Sequence, residues 1–449
     1  MEQNKRDLTS GSLAGQILCF SVPLMLSNVL QILFNMVDVA VVGRFAGSMA
    51  LGSVGSTTTM INMFTGFLIG LAGGINVLTA RFLGARDRKN LREAVHTAAV
   101  FSLLTGILLL AVGIGLGRWI LVLLHTRTEL MDGAVLYISI YFLGMPALAV
   151  YNFGNAVFSA AGDTRRPLYY LSAAGVVNIV LNLILVIVFH MDVAGVAIAS
   201  VIAQYLSAVL IAAALFRSRE EYGLCLSELR IHPVKLKAIV HIGIPAGLQN
   251  IIFHFANMCI QAAVNSFSAV MVAGNAAAAN ADGLVFDIMA AFYTACGSFM
   301  GQNYGAGNRE RVRKSYLWSL AYSFGVGALA GGLFLLFGKQ FLSLFTGDQE
   351  VAAAGMQRLQ IMGFSYAMSA VMDCSISASR ALGKSVVPTI IVLLGSCVFR
   401  VIWIYTVFAW FRTIPSLYLL YIFSWSITGL AEVIYFIKIY QKQMETISG

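Results

Sequence analysis

Four polar side chains, Asn28, Gln31, Asn35 and Asp38, follow one another at steps of three, four and three residues inside an apolar run. On a helix those steps place all four on one face. Asp38 is the only charged residue between Ile17 and Val42. A carboxylate near the centre of a membrane helix costs about 2.5–3.5 kcal/mol on insertion scales, so such groups usually serve a function. A polar stripe on an apolar helix points at protein or at a water-filled cavity, where a carboxylate can take up and release a proton. The structural alternative is a helix-packing hydrogen bond or an anchor near the outer end of the span. A second stripe, Asn250, His254, Asn257, Gln261 and Asn265, repeats the device at steps of four, three, four and four. Asn178 and Asn182, one helical turn apart, add amides that can hydrogen-bond a carboxylate, coordinate a monovalent cation, or simply join helices. Asp287, Asp373 and Arg400 are further candidates to touch a substrate or ion, with Asp282 and Glu432 the remaining acids inside apolar runs. Arg400 could pair with one of these acids, and His254 could titrate at physiological pH.

These residues sit in a chain whose composition dictates its solvent. Of 449 residues 59% are hydrophobic and 11% charged, with a mean hydropathy of +0.82. A soluble protein with an unusually large core is the alternative, but it would need polar outer faces that these runs lack. Stretches of about 20 apolar residues occur near 17–42, 50–77, 94–116, 133–160, 168–189, 193–216, 238–264, 270–299, 315–338, 351–378, 386–408 and 415–437. Twelve membrane-spanning helices are expected. Those near 50–77 and 270–299 are rich in small residues, which suits close helix packing in lipid. The polar opening residues lead straight into the first span, with no pattern of a removable signal peptide. Six dispersed cysteines form no metal-ligand or disulfide framework. There is no phosphate-binding loop and no catalytic constellation, so neither ATP hydrolysis nor an enzyme is indicated, and no cofactor is implied.

Loop charge orients the spans. With the N-terminus inside, 22 of the 29 Lys and Arg residues fall in inner segments and six in outer ones, Arg358 among the six. That bias puts both termini on the cytoplasmic side. It also accounts for the net charge of +9 through anionic lipid, with no need of nucleic acid. The halves resemble each other. Pro23, Asn28, Asn35 and Met36 recur as Pro245, Asn250, Asn257 and Met258 at an offset of 222. Gly162 and Pro167 recur as Gly383 and Pro388 at 221. Six spans per half give two parallel, pseudo-symmetric six-helix lobes: residues 1–216, a cytoplasmic linker 217–237, and residues 238–449. Such repeats suit a carrier with its site where the halves meet. The two polar stripes are expected to line that cleft. Asp38 has no counterpart, since Ile260 stands at the related position.

The segments "FNMVDVAVVGRFAG" (34–47), "RFLGARDRKNLREA" (81–94), "FSAAGDTRRP" (158–167), "NIVLN" (178–182), "GIPAGLQN" (243–250), "GQNYGAGN" (301–308), "SRALGKS" (379–385) and "FRVIWIYTVF" (399–408) together resemble the MATE family, the multidrug and toxic compound extrusion transporters of bacterial type. The resemblance covers nearly the whole chain. It implies an all-α integral membrane fold, with two six-helix lobes around a central cavity. It implies export of amphiphilic, often cationic, organic compounds in exchange for H⁺ or Na⁺ across the bacterial cell membrane. It places cation or proton coupling at Asp38, completed by Asn178 and Asn182, where Na⁺ could also bind; Asn35, on the same stripe as Asp38, is grouped with these coupling candidates. Some members carry an Asp where this chain has Asn182, which leaves H⁺ and Na⁺ both open. The seventh span offers His254 where some members have an acid, and Asp373 is out of secure register with a tenth-helix acid. Asn28, Gln31, Asn250, His254, Asn257, Gln261, Asp287, Asp373 and Arg400 are the candidates for the substrate cavity, and the carrier is expected to act as a monomer. A flippase for a lipid-linked precursor is the alternative. It would favour a cleft lined with Arg and Lys, for which Arg400 is the only basic candidate. A membrane-embedded enzyme or receptor would need paired carboxylates or a metal cluster, and neither is evident.

Overall fold

The computed structural model describes residues 7–448, with side chains to Glu445. It is almost entirely helical, and no strand occurs among the described residues. Twelve long helices follow the apolar runs. They are α1 (Leu13–Val41), α2 (Gly47–Gly84), α3 (Arg88–Leu123), α4 (Thr128–Ala160), α5 (Arg165–Val188), α6 (Asp192–Arg217), α7 (Pro233–Val264), α8 (Ala269–Gly305), α9 (Arg309–Leu342), α10 (Gln349–Ala381), α11 (Val386–Phe411) and α12 (Ile414–Ser448). Ten stretches are long and apolar enough to cross a membrane. One of them, Leu13–Gly84, holds both α1 and α2, while α10 falls outside the ten because its sequence is more polar.

Local chemistry sets the helix ends, and the repeat reappears there. Asp87 caps α3 by accepting from the Asn90 N–H at 3.1 Å, and Asn308 caps α9 by accepting from the Arg311 N–H at 3.1 Å. A side-chain acceptor at this position satisfies one of the orphan donors of a helix start. Gly162 and Gly383 close α4 and α10 with φ of +82° and +78°, a region that L side chains rarely adopt. Pro23 and Pro245 lie inside α1 and α7, where each removes a backbone hydrogen bond. A π-helical turn ends α5 at Ile184–Val188, and two more interrupt α11 at Leu393–Val398 and Ile404–Phe408.

The chain forms two compact units. Among the described residues, one comprises 26–247 and the other 7–25 with 248–448. The sequence division at 216 and 238 follows the repeat, whereas the units follow packing, so α1 and α7 each begin in one unit and end in the other. In the first unit, glycines on α2 meet glycines on α7. A Cβ at Gly74 would lie 2.7 Å from the Gly243 backbone nitrogen, and one at Gly70 would strike the Gly247 nitrogen. Small residues are what allow such an approach. The segment after α6 is pinned to α3 in the same unit. The buried His96 ring bonds the Arg92 carbonyl through Nδ1 at 2.7 Å and accepts the Cys225 N–H through Nε2 at 2.9 Å. In the second unit the start of α1 buries Leu13, Ile17, Phe20 and Leu24 against Phe292, Ala295 and Phe299 of α8. Arg311 fixes the residues before it, donating to the carbonyls of Leu8, Ser10 and Gly11.

Candidate functional site

In the first unit α1, α5 and α6 bring four polar side chains into a ring. The Asp38 carboxylate accepts from Asn182 Nδ2 through Oδ1 and from Ser200 Oγ through Oδ2 at 3.3 Å. Asn182 Nδ2 also reaches Asn178 Oδ1 at 3.3 Å, and Asn178 Nδ2 donates to Ser200 Oγ at 3.5 Å. All four residues are buried, Asn182 completely. Asn182 Oδ1 has no hydrogen-bond partner among the described residues. The ring therefore holds one charge and, beside it, one spare carbonyl acceptor. Tyr137 and Tyr141 of α4 flank the carboxylate.

Three local features assemble this ring. Asn178 and Asn182 stand one turn apart and so share a face of α5. Gly175, one turn earlier, has no side chain, and a Cβ there would collide with the Phe34 ring of α1. α1 thus lies close enough to α5 for Asp38, one turn beyond Phe34, to reach the amides. The π turn begins at Ile184, two residues after Asn182, and such turns are frequent at functional sites.

The other candidates go elsewhere. Gln31 and Asn35 are exposed and stand outside the ring, and Asn28 is half-buried. On α7, Asn250 and His254 are half-buried and Asn257 is exposed. Gln261 joins a different network. Its Oε1 accepts from Asn275 Nδ2 at 3.2 Å, and Asn275 Oδ1 accepts from Tyr418 and Arg358. Arg358, grouped in the sequence with outer-loop charges, is buried in α10. It donates to Asp282 Oδ2 through Nε at 3.2 Å and Nη2 at 2.5 Å, while Tyr366 donates to Oδ1 at 2.5 Å. Asp282 thus pairs with Arg358 and not with Arg400. Arg400 meets Asn257 Oδ1 and Ser424 Oγ, each at 3.2 Å. Asp287 is half-buried on α8. Asp373 is half-buried on α10 and has Arg380 and Arg400 as cationic neighbours. No group of three or more metal-ligating side chains occurs among the described residues. Ser200 and Ser424 escaped sequence reading, since a lone serine in an apolar helix carries no spacing signal.

Twelve long helices in a repeat, eleven of them in apolar stretches, with a carboxylate held among amides, are the architecture of a multi-pass membrane carrier. A family model described as MatE matches residues 23–184 and again 245–406, the same offset of 222 that relates the two halves. The chain belongs to that family, the MATE transporters. It is similar to the probable multidrug resistance protein YpnP of Bacillus subtilis (strain 168), with 29% identity over 400 residues and 88% of each chain covered. It is similar to the FAD transporter of Shewanella oneidensis, with 23% identity over 78% of each chain. Among solved structures, an outward-facing MATE family multidrug resistance transporter of the MOP superfamily superimposes with a TM-score of 0.91. It has 20% identity, over 99% of this chain and all of that one. This last likeness concerns the fold alone.

Proposed function

We propose that the chain is a secondary active efflux carrier that exports amphiphilic or cationic organic compounds by antiport with H⁺ or Na⁺, with Asp38 as the coupling group. The observation that carries this reading is the ring around Asp38. A single carboxylate, buried and held by two amides and a hydroxyl, can exchange a proton at Oδ1 or Oδ2. With the spare Asn182 Oδ1 it also offers oxygen ligands suited to a monovalent cation. Asn178 and Ser200 hold the carboxylate in place, and Asn35 stands one turn away on α1. The names of the relatives support efflux of organic molecules. One charge moved down 100 mV supplies about 2.3 kcal/mol, enough for roughly fifty-fold accumulation. Loop charge supports a bacterial cytoplasmic membrane with both termini inside, and the presence of both halves of the repeat in one chain supports a carrier that acts as a monomer.

The test uses inside-out membrane vesicles loaded by an imposed pH or sodium gradient, with a fluorescent organic cation as substrate. Asp38→Asn keeps the size of the side chain and removes its charge. Gradient-driven uptake is expected to fall to the level of empty vesicles. Uptake that persists in the variant under both gradients removes Asp38 from the mechanism, and the gradient that drives the unaltered protein identifies the ion.

A further inference from the structure

The residues that lead into the repeat-related helices α1 and α7 are each held from outside. In the second unit Arg311 of α9 binds the carbonyls of Leu8, Ser10 and Gly11. In the first unit α3, the repeat counterpart of α9, holds the segment before α7. The chemistry of the two clamps differs. A guanidinium keeps its charge at any ordinary pH. The clamp on α3 is a histidine, the side chain whose charge changes between pH 5 and 8.

His96 is only 1% exposed. Its Nδ1 faces the Arg92 carbonyl at 2.7 Å, and a carbonyl only accepts, so Nδ1 carries the hydrogen. Its Nε2 accepts the Cys225 N–H at 2.9 Å, so that nitrogen is bare. The ring is therefore neutral and in one tautomer, and a second proton has its place only at Nε2. There it would point at the Cys225 N–H and end that bond. A receiver for the new N–H lies on the same segment: Glu228 Oε2 is 4.0 Å from Nε2, while Oε1 meets Arg92 Nη2 at 2.7 Å. Next along α3, Thr97 Oγ1 accepts the His232 N–H at 3.0 Å, a bond that needs no titrating group. Leu224 lies in the core and Leu226 is 75% exposed, so residues 225–228 can shift without opening the core. The surrounding charges are partnered elsewhere. Glu93 faces Lys235 at 3.8 Å, Arg88 meets Glu221 at 2.6 Å, and Asp163 meets Arg166 at 3.1 Å beside Tyr222. The His232 ring accepts from Arg230 Nε at 3.1 Å, and it is the one other group here that titrates in the histidine range.

We infer that His96 is a proton-operated latch on the segment between α6 and α7. Neutral, it holds the segment to α3 through the Cys225 N–H. Protonated, it gives up that bond and turns its Nε2–H to Glu228, which frees residues 225–228. The latched ring holds one nitrogen-bound proton and the released ring two, so acid favours release. The latch lies on the side that the carrier reading places in the cytoplasm, where it senses internal acidity. It asks nothing of the ion that couples at Asp38.

Hydrogen–deuterium exchange of the detergent-purified full chain reads the latch at the Cys225 amide. Peptide 223–229 is compared at about pH 7.5 and about pH 5.5, after correction for the intrinsic exchange rate at each pH. Its opening is expected to rise about tenfold or more in acid, while peptide 8–16, under the Arg311 clamp, changes less than about twofold. His96→Gln keeps an acceptor for the Cys225 N–H and cannot take up a proton, so it should abolish the rise. His232→Gln should leave the rise intact. Glu228→Gln offers the new N–H no carboxylate and should move the rise to lower pH. Exchange at 223–229 that ignores pH in the unaltered protein overturns the inference. So does a rise that survives His96→Gln, vanishes in His232→Gln or stays in place in Glu228→Gln. If a variant does not fold, the unaltered chain decides: a rise confined to 223–229 supports the latch, and one shared with peptide 8–16 is general loosening and overturns it. No transport enters the measurement, so failure of the latch leaves the Asp38 reading standing, and failure of the Asp38 test leaves the latch standing.

Discussion

Removing either of the two buried guanidiniums of the second unit should destabilise the protein, but by very different amounts. Arg358→Met strips Asp282 of its cationic partner in a buried site, with only Tyr366 left donating to it. Breaking a buried pair in this way costs about 3–5 kcal/mol. For a unit of about this size each kcal/mol lowers the melting midpoint by about 2–4 °C, so a fall of about 6–20 °C is expected. Arg400→Met removes a charge that has two hydrogen bonds and no ion pair, and the desolvation cost of that charge goes with it. Its fall should be less than half as large. Adding Asp282→Asn to Arg358→Met removes the stranded charge and keeps an acceptor for Tyr366, so the double variant should recover more than half of the loss. The assay is thermal unfolding of detergent-purified protein, followed by intrinsic fluorescence for all four chains in one buffer. If Arg358→Met proves as mild as Arg400→Met, or if Asp282→Asn fails to restore it, the distinction between an ion-paired guanidinium and one held by hydrogen bonds alone is wrong.

Two further outcomes follow from packing and capping. Gly74→Ala puts a Cβ 2.7 Å from the Gly243 backbone nitrogen. Neither helix can yield by a side-chain rotation, so a loss of about 1–3 kcal/mol is expected, read as a lowered thermal midpoint. The same midpoint in Gly73→Ala, where the added Cβ meets open space, should barely change. Asp87 lies outside the membrane spans, and its hydrogen bonds from the Asn90 side chain and backbone hold its carboxyl below the ordinary 3.8. A lowered folded value stabilises above the ordinary value and is lost as pH falls through the lowered one. The stability advantage of the unaltered protein over Asp87→Ala should therefore be full at pH 7 and shrink below pH 3.8. An advantage independent of pH would show that the cap does not act through the ionised group.

Much of this architecture was readable because membrane solvent leaves few choices. A long apolar run must be helical, since backbone groups have no water to bond, and eleven of the twelve helices sit in runs visible by hydropathy. Gly162 and Gly383 showed the repeat through a backbone need, and both do adopt positive φ. Asp38 stood out because nothing else in its run is charged. The sequence did not disclose the partners across helices. Nothing local to Ser200 or Ser424 says which neighbouring helix each will face. Arg358 read as a loop charge because α10 is the least apolar helix, and the polarity that weakens its signal is the network it buries. Gln261 looked like one more member of a polar stripe, yet its amide serves Asn275. A stripe establishes a shared face, whereas the bonds depend on how the helices approach, which here is governed by glycines such as Gly175.

The boundaries of the two units fall at 25/26 and 247/248, inside α1 and α7 and not in the connecting segment. Cutting the chain in that segment would yield two fragments, neither with a complete core. The first would keep Ile17 and Phe20 without Phe292 and Phe299 to cover them. The second would keep Gly243 and Gly247 without Gly70 and Gly74. Co-expressed, the pieces should reassemble only by trading these leading turns. A single ancestral half, before duplication, would have had to borrow the same turns from a twin, as a swapped dimer does.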